Sequence, residues 1–304
     1  MLRTLLLELA NSPRLARRIT SFTATRRLAR RFVPGEQLSD ALEAARRCNQ
    51  AGMVVSLDHL GENVLSRADA ERARDEYLQI LDRIAAERLD ANISVKLTSL
   101  GLDIDEEFCA DNLGAVVNQA AALANFVRVD MEGSAYTEAT IRIVARLRAH
   151  TAAIGTVLQA YLFRSEQDIR DLLKLGCRIR LVKGAYREPA GIAFQSEREV
   201  DASFVRLAGL LLDSGLFHAL ATHDPRMIDA AIRLAAQRNL AKNQFEFQML
   251  YGIRTDLQAR LVREGFRVRI YIPYGSQWFP YFMRRLAERP ANLFFFLKNL
   301  FRGG

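Results

Sequence analysis

From residue 53 onward one unit recurs eight times: a short β-branched or apolar run, then an amphipathic stretch of helical period. The runs read MVVSLDH, NISVKLT, FVRVDME, TVLQAYL, RIRLVKG, HALATHD, FEFQML and VRIYIPY. The helical stretches fall near residues 67–89, 108–124, 136–150, 165–175, 197–213, 225–239, 254–264 and 277–289. Such alternation predicts a parallel sheet, because parallel neighbours need long return connections and helices supply them. Eight units predict an α/β fold closed as a (βα)8 barrel rather than an open doubly wound sheet. No glycine-rich dinucleotide fingerprint follows any run, which also disfavours the open sheet.

A length of 304 residues suits such a barrel with an N-terminal addition, giving a helical arm over 1–50 and a barrel over 51–304. In the arm, Ser39 is the expected N-cap of a helix that Gly52 stops. No apolar run approaches the roughly 20 residues needed to span a bilayer. Cys48, Cys109 and Cys177 are far apart and lack metal-ligand spacing, so neither a disulfide framework nor a metal site is expected, and a reducing, cytoplasmic compartment fits. The net charge of +8 is concentrated in residues 1–31, where eight arginines face a single acid, Glu8. That segment reads as a basic helical arm; the alternatives are an organelle transit peptide and a surface for anionic lipid, which would place the chain peripherally on the inner face of the cell membrane. Nucleic acid is not expected, because the segment lacks interleaved aromatics and no binding motif follows it. The C-terminal LFFFLKNLFRGG is too short to span a membrane and is expected to pack on protein, with lipid docking the alternative.

In a closed barrel chemistry gathers at the carboxyl ends of the strands. Those ends are polar here: Asp58, His59 and Glu62, then Lys96, Asp130, Gln159, Arg180, Lys183 with Tyr186, Thr222 with His223, Gln248, and Tyr271 with Tyr274. In the last helix Tyr281, Arg284, Arg285 and Glu288 recur at i, i+3, i+4 and i+7, opposite Phe279, Phe282, Met283 and Leu286. Two guanidinium groups fixed in this way suit a carboxylate or phosphate gripped bidentately; the alternative is a solvated face with Glu288 pairing the arginines. The mixture of cations and neutral hydrogen-bonding groups suits a planar heterocycle with phosphates, such as a flavin dinucleotide, whose reduction a neighbouring cation favours. A rival of a different class is a Schiff-base aldolase or lyase using Lys96 or Lys183. A non-enzymatic rival is a basic peripheral-membrane or nucleic-acid binder resting on the N-terminal arginines.

The run over 248–292, QMLYGIRTDLQARLVREGFRVRIYIPYGSQWFPYFMRRLAERPAN, closely resembles the C-terminal signature of proline dehydrogenases in their short monofunctional bacterial form. RLVKGAY, VDMEG, SVKLTSLG, LDHLGE and ATHD resemble that family's other blocks, in its order, across about residues 52–292. The resemblance implies a distorted flavin barrel with its final helix over the mouth, binding FAD and oxidising L-proline to 1-pyrroline-5-carboxylate, with electrons passing to a membrane quinone. It implies that Lys96, Arg284 and Arg285 bind the proline carboxylate, and that Tyr271, Tyr281 and Leu250 shape the pocket. Met131, Gln159, Lys183, Gly184, Ala185, Thr222, His223 and Gln248 would hold the flavin. Arg180 would sit at its reactive edge, Asp130 would complete the catalytic pair, and Glu62 would gate the site with Arg284. After Tyr186 the match fades, and the adenosine contacts have no assignment.

Overall fold

The structure is a computed structural model and describes residues 29–288, with side chains as far as residue 285. Its strands are β1 (Val54–His59), β2 (Ala91–Val95), β3 (Val127–Val129), β4 (Ile154–Gln159), β5 (Arg178–Val182), β6 (His218–Ala221), β7 (Phe245–Leu250) and β8 (Arg267–Tyr274). They pair in sequence order as a closed parallel barrel, with β8 hydrogen-bonded to β1. The helices are α1 (Leu38–Gln50), α2 (Arg67–Ala86), α3 (Glu106–Ala122), α4 (Ser134–Arg148), α5 (Ser165–Lys174), α6 (Glu197–Leu212), α7 (Pro225–Gln237), α8 (Thr255–Arg263) and α9 (Trp278–Glu288). The expected (βα)8 alternation is therefore present. Among the described residues no helix is long and apolar enough to cross a membrane.

Two-residue periodicity sends alternate side chains to opposite faces of each strand. One set, including Val55, Leu57, Ile93, Val95, Val129, Ile179, Leu181, Phe247, Met249 and Ile270, packs outward against the helices and forms the main apolar core. The other set points into the barrel and is polar: Ser56 and Asp58, Asn92 and Ser94, Arg128 and Asp130, Arg178 and Arg180, Glu246 and Gln248, Arg269 and Tyr271. Branched aliphatic residues ordinarily fill this column. Here Arg180 bonds Ser94 across it at 3.0 Å, Ser56 bonds Ser94 at 3.0 Å, and Arg269 bonds Glu246 at 2.7 Å.

The two ends of the chain set the barrel's departure from regularity. α1 packs against β8 and β1, the seat that the helix following β8 would occupy in a regular barrel. It buries Ala41, Leu42, Ala44, Ala45 and Cys48 there. The cap expected at Ser39 is displaced: the helix starts at Leu38, and the Gln37 N–H donates to the Asp40 carboxylate at 3.2 Å. Asp40 at the third helical position thus supplies the terminal hydrogen bond. Gly52, at φ +78°, follows the helix end as expected. α9 is free to lie over the barrel mouth, with Phe279, Phe282 and Met283 buried as its pattern predicts. Phe282 meets Trp278 at 5.9 Å and Phe32 at 6.2 Å, while the Trp278 Nε1–H donates to Glu36 at 3.1 Å. Burying each such ring contributes roughly 2–3 kcal/mol, which anchors the arginine face. Residues 1–28 and the C-terminal phenylalanines lie outside the described residues.

Candidate active site

The carboxyl ends of the strands open into a cleft of about 440 Å³. Lys96, Asp130, Met131, Gln159, Arg180, Lys183, Gly184, Ala185, Thr222, His223, Gln248, Leu250, Tyr271, Tyr281, Arg284 and Arg285 all line it, as do Asp58 and Tyr186. Glu62 is not in the wall but reaches two residues that are, Lys96 at 3.6 Å and Arg284 at 3.7 Å. His59 and Tyr274 are not brought to the cleft. The Tyr274 hydroxyl donates to Glu76 of α2 at 2.9 Å, and the His59 ring lies 5.2 Å from the Tyr274 ring. Strand parity explains this: Tyr271 and Tyr274 are an odd number of positions apart, so one faces inward and the other a helix.

Lys96 follows β2 directly, where the chain turns through the short 3₁₀ helix Leu97–Leu100. Its Nζ donates to Asp58 Oδ1 at 2.9 Å and to the Tyr271 hydroxyl at 3.2 Å. That hydroxyl donates to Asp130 Oδ2 at 2.6 Å, and Arg180 Nη1 donates to Asp130 Oδ1 at 2.7 Å. Arg180 also lies 5.3 Å over the Tyr271 ring. The buried Glu132 carboxylate ties the ends of β2 and β3 together, accepting from the Thr98 N–H at 3.1 Å and the Thr98 hydroxyl at 2.7 Å. Sequence reading did not single out Ser94 or the Asp58–Lys96 pair; the available signal was that Ser94 and Lys96 share one face of β2, with Ser94 in register with Asp58.

Burial opposes the charge on Lys96, but Asp58, Tyr271, Glu62 and Asp130 outweigh it and hold the ammonium well above the ordinary lysine range. A Schiff-base lysine needs the reverse, so the geometry disfavours an aldolase using Lys96. Burial pushes the Asp58 carboxyl up to about 6 against the pull of Lys96. Glu62 is half-buried, and although this desolvation opposes its charge, Lys96 and Arg284 bring it below the usual glutamate range. Burial, reinforced by Asp130, holds the Tyr271 phenol well above its ordinary value.

On α9, Tyr281 is buried and Arg285 lies 5.1 Å over its ring. The arginine face is turned to the cleft rather than to bulk solvent, and Arg284 meets Glu62 across the mouth. The side chain of Glu288 lies outside the described residues. On the far wall Lys183 is ion-paired with Asp201 and with Asp224 at 3.0 Å, and His223 Nε2 accepts the Leu250 N–H at 2.8 Å. Gln159 donates to the Glu132 carbonyl at 3.0 Å. Gly184 has φ +128°, and a Cβ there would overlap the Tyr161 ring. Arg180 Nε and Gln248 Oε1 are buried without hydrogen-bond partners among the described residues. Buried polar atoms without partners are costly, and these two beside the apolar walls of Val157, Val182, Met249 and Leu250 fit a flat heterocycle with a hydrogen-bonding edge.

The sequence description of the family "Proline dehydrogenase" matches residues 41–297. Proline dehydrogenase 1 of Bacillus subtilis subsp. natto is 41% identical over 302 residues, covering 99% of this chain and 100% of its own. The chain belongs to the proline dehydrogenase family. The proline dehydrogenase of Deinococcus radiodurans is 38% identical over 281 residues, 91% of each chain. Among solved structures, proline utilization A from Bdellovibrio bacteriovorus, inactivated by N-propargylglycine, superposes with a TM-score of 0.81 at 28% identity. That likeness covers 86% of this chain and 32% of the other, so this proline dehydrogenase family member spans about a third of that longer protein.

Proposed function

We propose that this chain oxidises L-proline to 1-pyrroline-5-carboxylate using FAD, and passes the electrons to a membrane quinone. The observation that carries the reading is the convergence, in one cleft of a proline dehydrogenase family member, of the Lys96–Asp58–Asp130–Arg180–Tyr271 network with the two arginines of α9. Lys96, Arg284 and Arg285 bind the proline carboxylate; Tyr271, Tyr281 and Leu250 shape the space for the ring. Met131, Gln159, Lys183, Gly184, Ala185, Thr222, His223 and Gln248 hold the flavin, with Arg180 beside it and Asp130 fixing both Arg180 and Tyr271. When bound, the flavin supplies the redox chemistry, accepting the hydride that leaves proline C5. Clamping the carboxylate fixes C5 in place, which removes the orientational part of the barrier. The substrate amine must be neutral for its lone pair to drive hydride departure, so no side chain has to serve as a strong base. Glu62 and Arg284 close the mouth, and excluding water strengthens every charge inside. A chain peripheral to the inner face of the cell membrane, contacting it through its basic first 31 residues, would bring the quinone within reach.

The test is a visible spectrum of the purified protein under nitrogen. Flavin absorption that bleaches on adding L-proline is the expected result. A colourless protein that reconstitutes with no flavin, or a flavin that proline leaves oxidised, would contradict the reading.

A further inference from the structure

The opposite, amino-terminal end of the barrel carries a second group of cations that the proposed reaction does not use. A cavity of about 370 Å³ lies there, lined by Asn92, Asn125, Arg128, Arg178, Phe217 and Arg269 among others, and it shares no lining residue with the cleft. Arg128 is 3% exposed. Its Nη1 donates to the carbonyls of Thr156 at 3.0 Å and Arg178 at 2.5 Å, and its Nε is buried without a partner among the described residues. The guanidinium carbons of Arg128 and Arg178 lie 4.8 and 3.9 Å from the centroid of the same ring, Phe126. No carboxylate among the described residues forms an ion pair with either. The two acids that also line the cavity are engaged: Glu246 with Arg269 at 2.7 Å and Arg267 at 3.4 Å, and Asp90 with Arg267 at 3.5 Å.

A buried guanidinium without a counter-charge is expensive, and chains normally supply a carboxylate. Here burial, with Arg180 adding to it and Glu246 only partly offsetting it, pushes Arg128 down to about 9; burial likewise lowers Arg178 against the pull of Glu246. Gly155 permits the close packing here, because a Cβ there would overlap the Arg178 carbonyl and the Phe126 ring, the latter at 2.7 Å, and crowd Arg128 Nη1 at 3.0 Å. His218 offers no compensation: its Nδ1 accepts the Ile179 N–H at 3.0 Å, and burial with Arg128 beside it pushes the imidazole down to about 3. Two guanidinium groups stacked on one ring at the wall of a polar cavity present the donor type that grips phosphate oxygens.

We propose that this cavity is a binding site for a phosphate-class oxyanion held between Arg128 and Arg178, as free phosphate or as the phosphate group of a small metabolite. The anion supplies the counter-charge that the chain omits and so stabilises the base of the barrel. Nothing in this depends on the reaction at the other end.

Thermal unfolding of the flavin-loaded protein tests it, at constant pH and ionic strength, with chloride replaced by low millimolar inorganic phosphate or glycerol phosphate. The midpoint should rise by roughly 5 °C at a hundredfold excess over the dissociation constant. Arg178→Ala should abolish the rise, and Arg284→Met, at the distant cleft, should retain it. Arg178→Glu supplies the missing carboxylate internally; it should be at least as stable as the parent in chloride and indifferent to phosphate. That variant and the parent decide the matter even if Arg178→Ala does not fold. Equal shifts with both anions assign the site to phosphate-bearing metabolites as well as the ion, and a shift with inorganic phosphate alone assigns it to the ion. No excess over chloride in the parent, a rise that survives in Arg178→Ala or Arg178→Glu, or one lost in Arg284→Met would overturn the proposal.

Discussion

At the carboxyl end of the barrel Arg180 is paired with Asp130 at 2.7 Å and Lys96 with Asp58 at 2.9 Å; at the amino end Arg128 donates to two carbonyls, it and Arg178 lie over the Phe126 ring, and neither has an ion pair among the described residues. These groups stand on the same strands. Arg128 and Asp130 are neighbours on one inward face, as are Arg178 and Arg180, and a step of two residues moves the side chain about 7 Å along the column. The difference lies in the acids. Asp58 and Glu62 from the end of β1 and Asp130 after β3 balance the cations at one end, whereas Glu246 at the other is spent on Arg267 and Arg269. A balanced network is preorganised and able to exchange partners. Glu62 sits 3.6 and 3.7 Å from its two cations, beyond hydrogen-bonding distance, and is held less tightly by them than Asp58 is by Lys96.

Removing one cation at each end should separate the two ends most strongly. Lys96→Met leaves Asp58 and Asp130 facing each other, and Asp58 Oδ2 is already without a hydrogen-bond partner among the described residues. Losing one partner of a buried pair should cost about 3–5 kcal/mol in urea unfolding. Arg178→Met, which removes a cation with no paired acid, should cost no more than about 1 kcal/mol. Equal costs would erase the distinction.

Arg285→Lys keeps the charge at the cleft but loses the planar fork. The expected loss in kcat/KM for proline is about 2–4 kcal/mol, roughly thirtyfold to several-hundredfold, with unfolding unchanged. Steady-state kinetics beside urea titration checks this, and normal proline efficiency would reduce the helix face to a packing surface.

The two ends should also answer pH with opposite sign. His218 is neutral in the native state with its pKa pushed down to about 3, while the unfolded chain takes up that proton below about 6.5. The unfolded state then binds more protons, so stability falls as pH drops from about 6.5 toward 3, by up to about 1.4 kcal/mol per unit. Asp58, raised to about 6, binds its proton more tightly in the native state, so its contribution is complete below about 4 and lost as pH rises through 6. Urea midpoints across pH 4–7 should lose the acid-side fall in His218→Gln, and in Asp58→Asn should lose the decline toward neutrality. An unchanged slope in His218→Gln would show that the imidazole titrates normally.

Much of this was legible beforehand, for identifiable reasons. Each outward strand face is apolar and each helix amphipathic, so the eight units and their order stood out, and the residues flanking the strand ends gave nearly the whole cleft lining. The inner column was not legible. Arg128, Arg178, Glu246 and Arg269 alternate with apolar residues, and in an isolated strand that pattern means solvent on the polar side. Closure turns the polar side inward, and it is a property of all eight strands together. The seat of α1 was hidden for the same reason: a helix before β1 reaches β8 only once the barrel closes.

α9 meets the carboxyl-end network where Arg284 faces Glu62 at 3.7 Å, itself 3.6 Å from Lys96. A double-mutant cycle of Arg284→Met and Glu62→Ala in steady-state proline oxidation, with flavin content measured in each variant, tests this link most directly. Strong non-additivity is expected, a coupling of about 1–2 kcal/mol, because Glu62→Ala should cost little once Arg284 is gone. Fully additive effects in flavin-replete variants would contradict it.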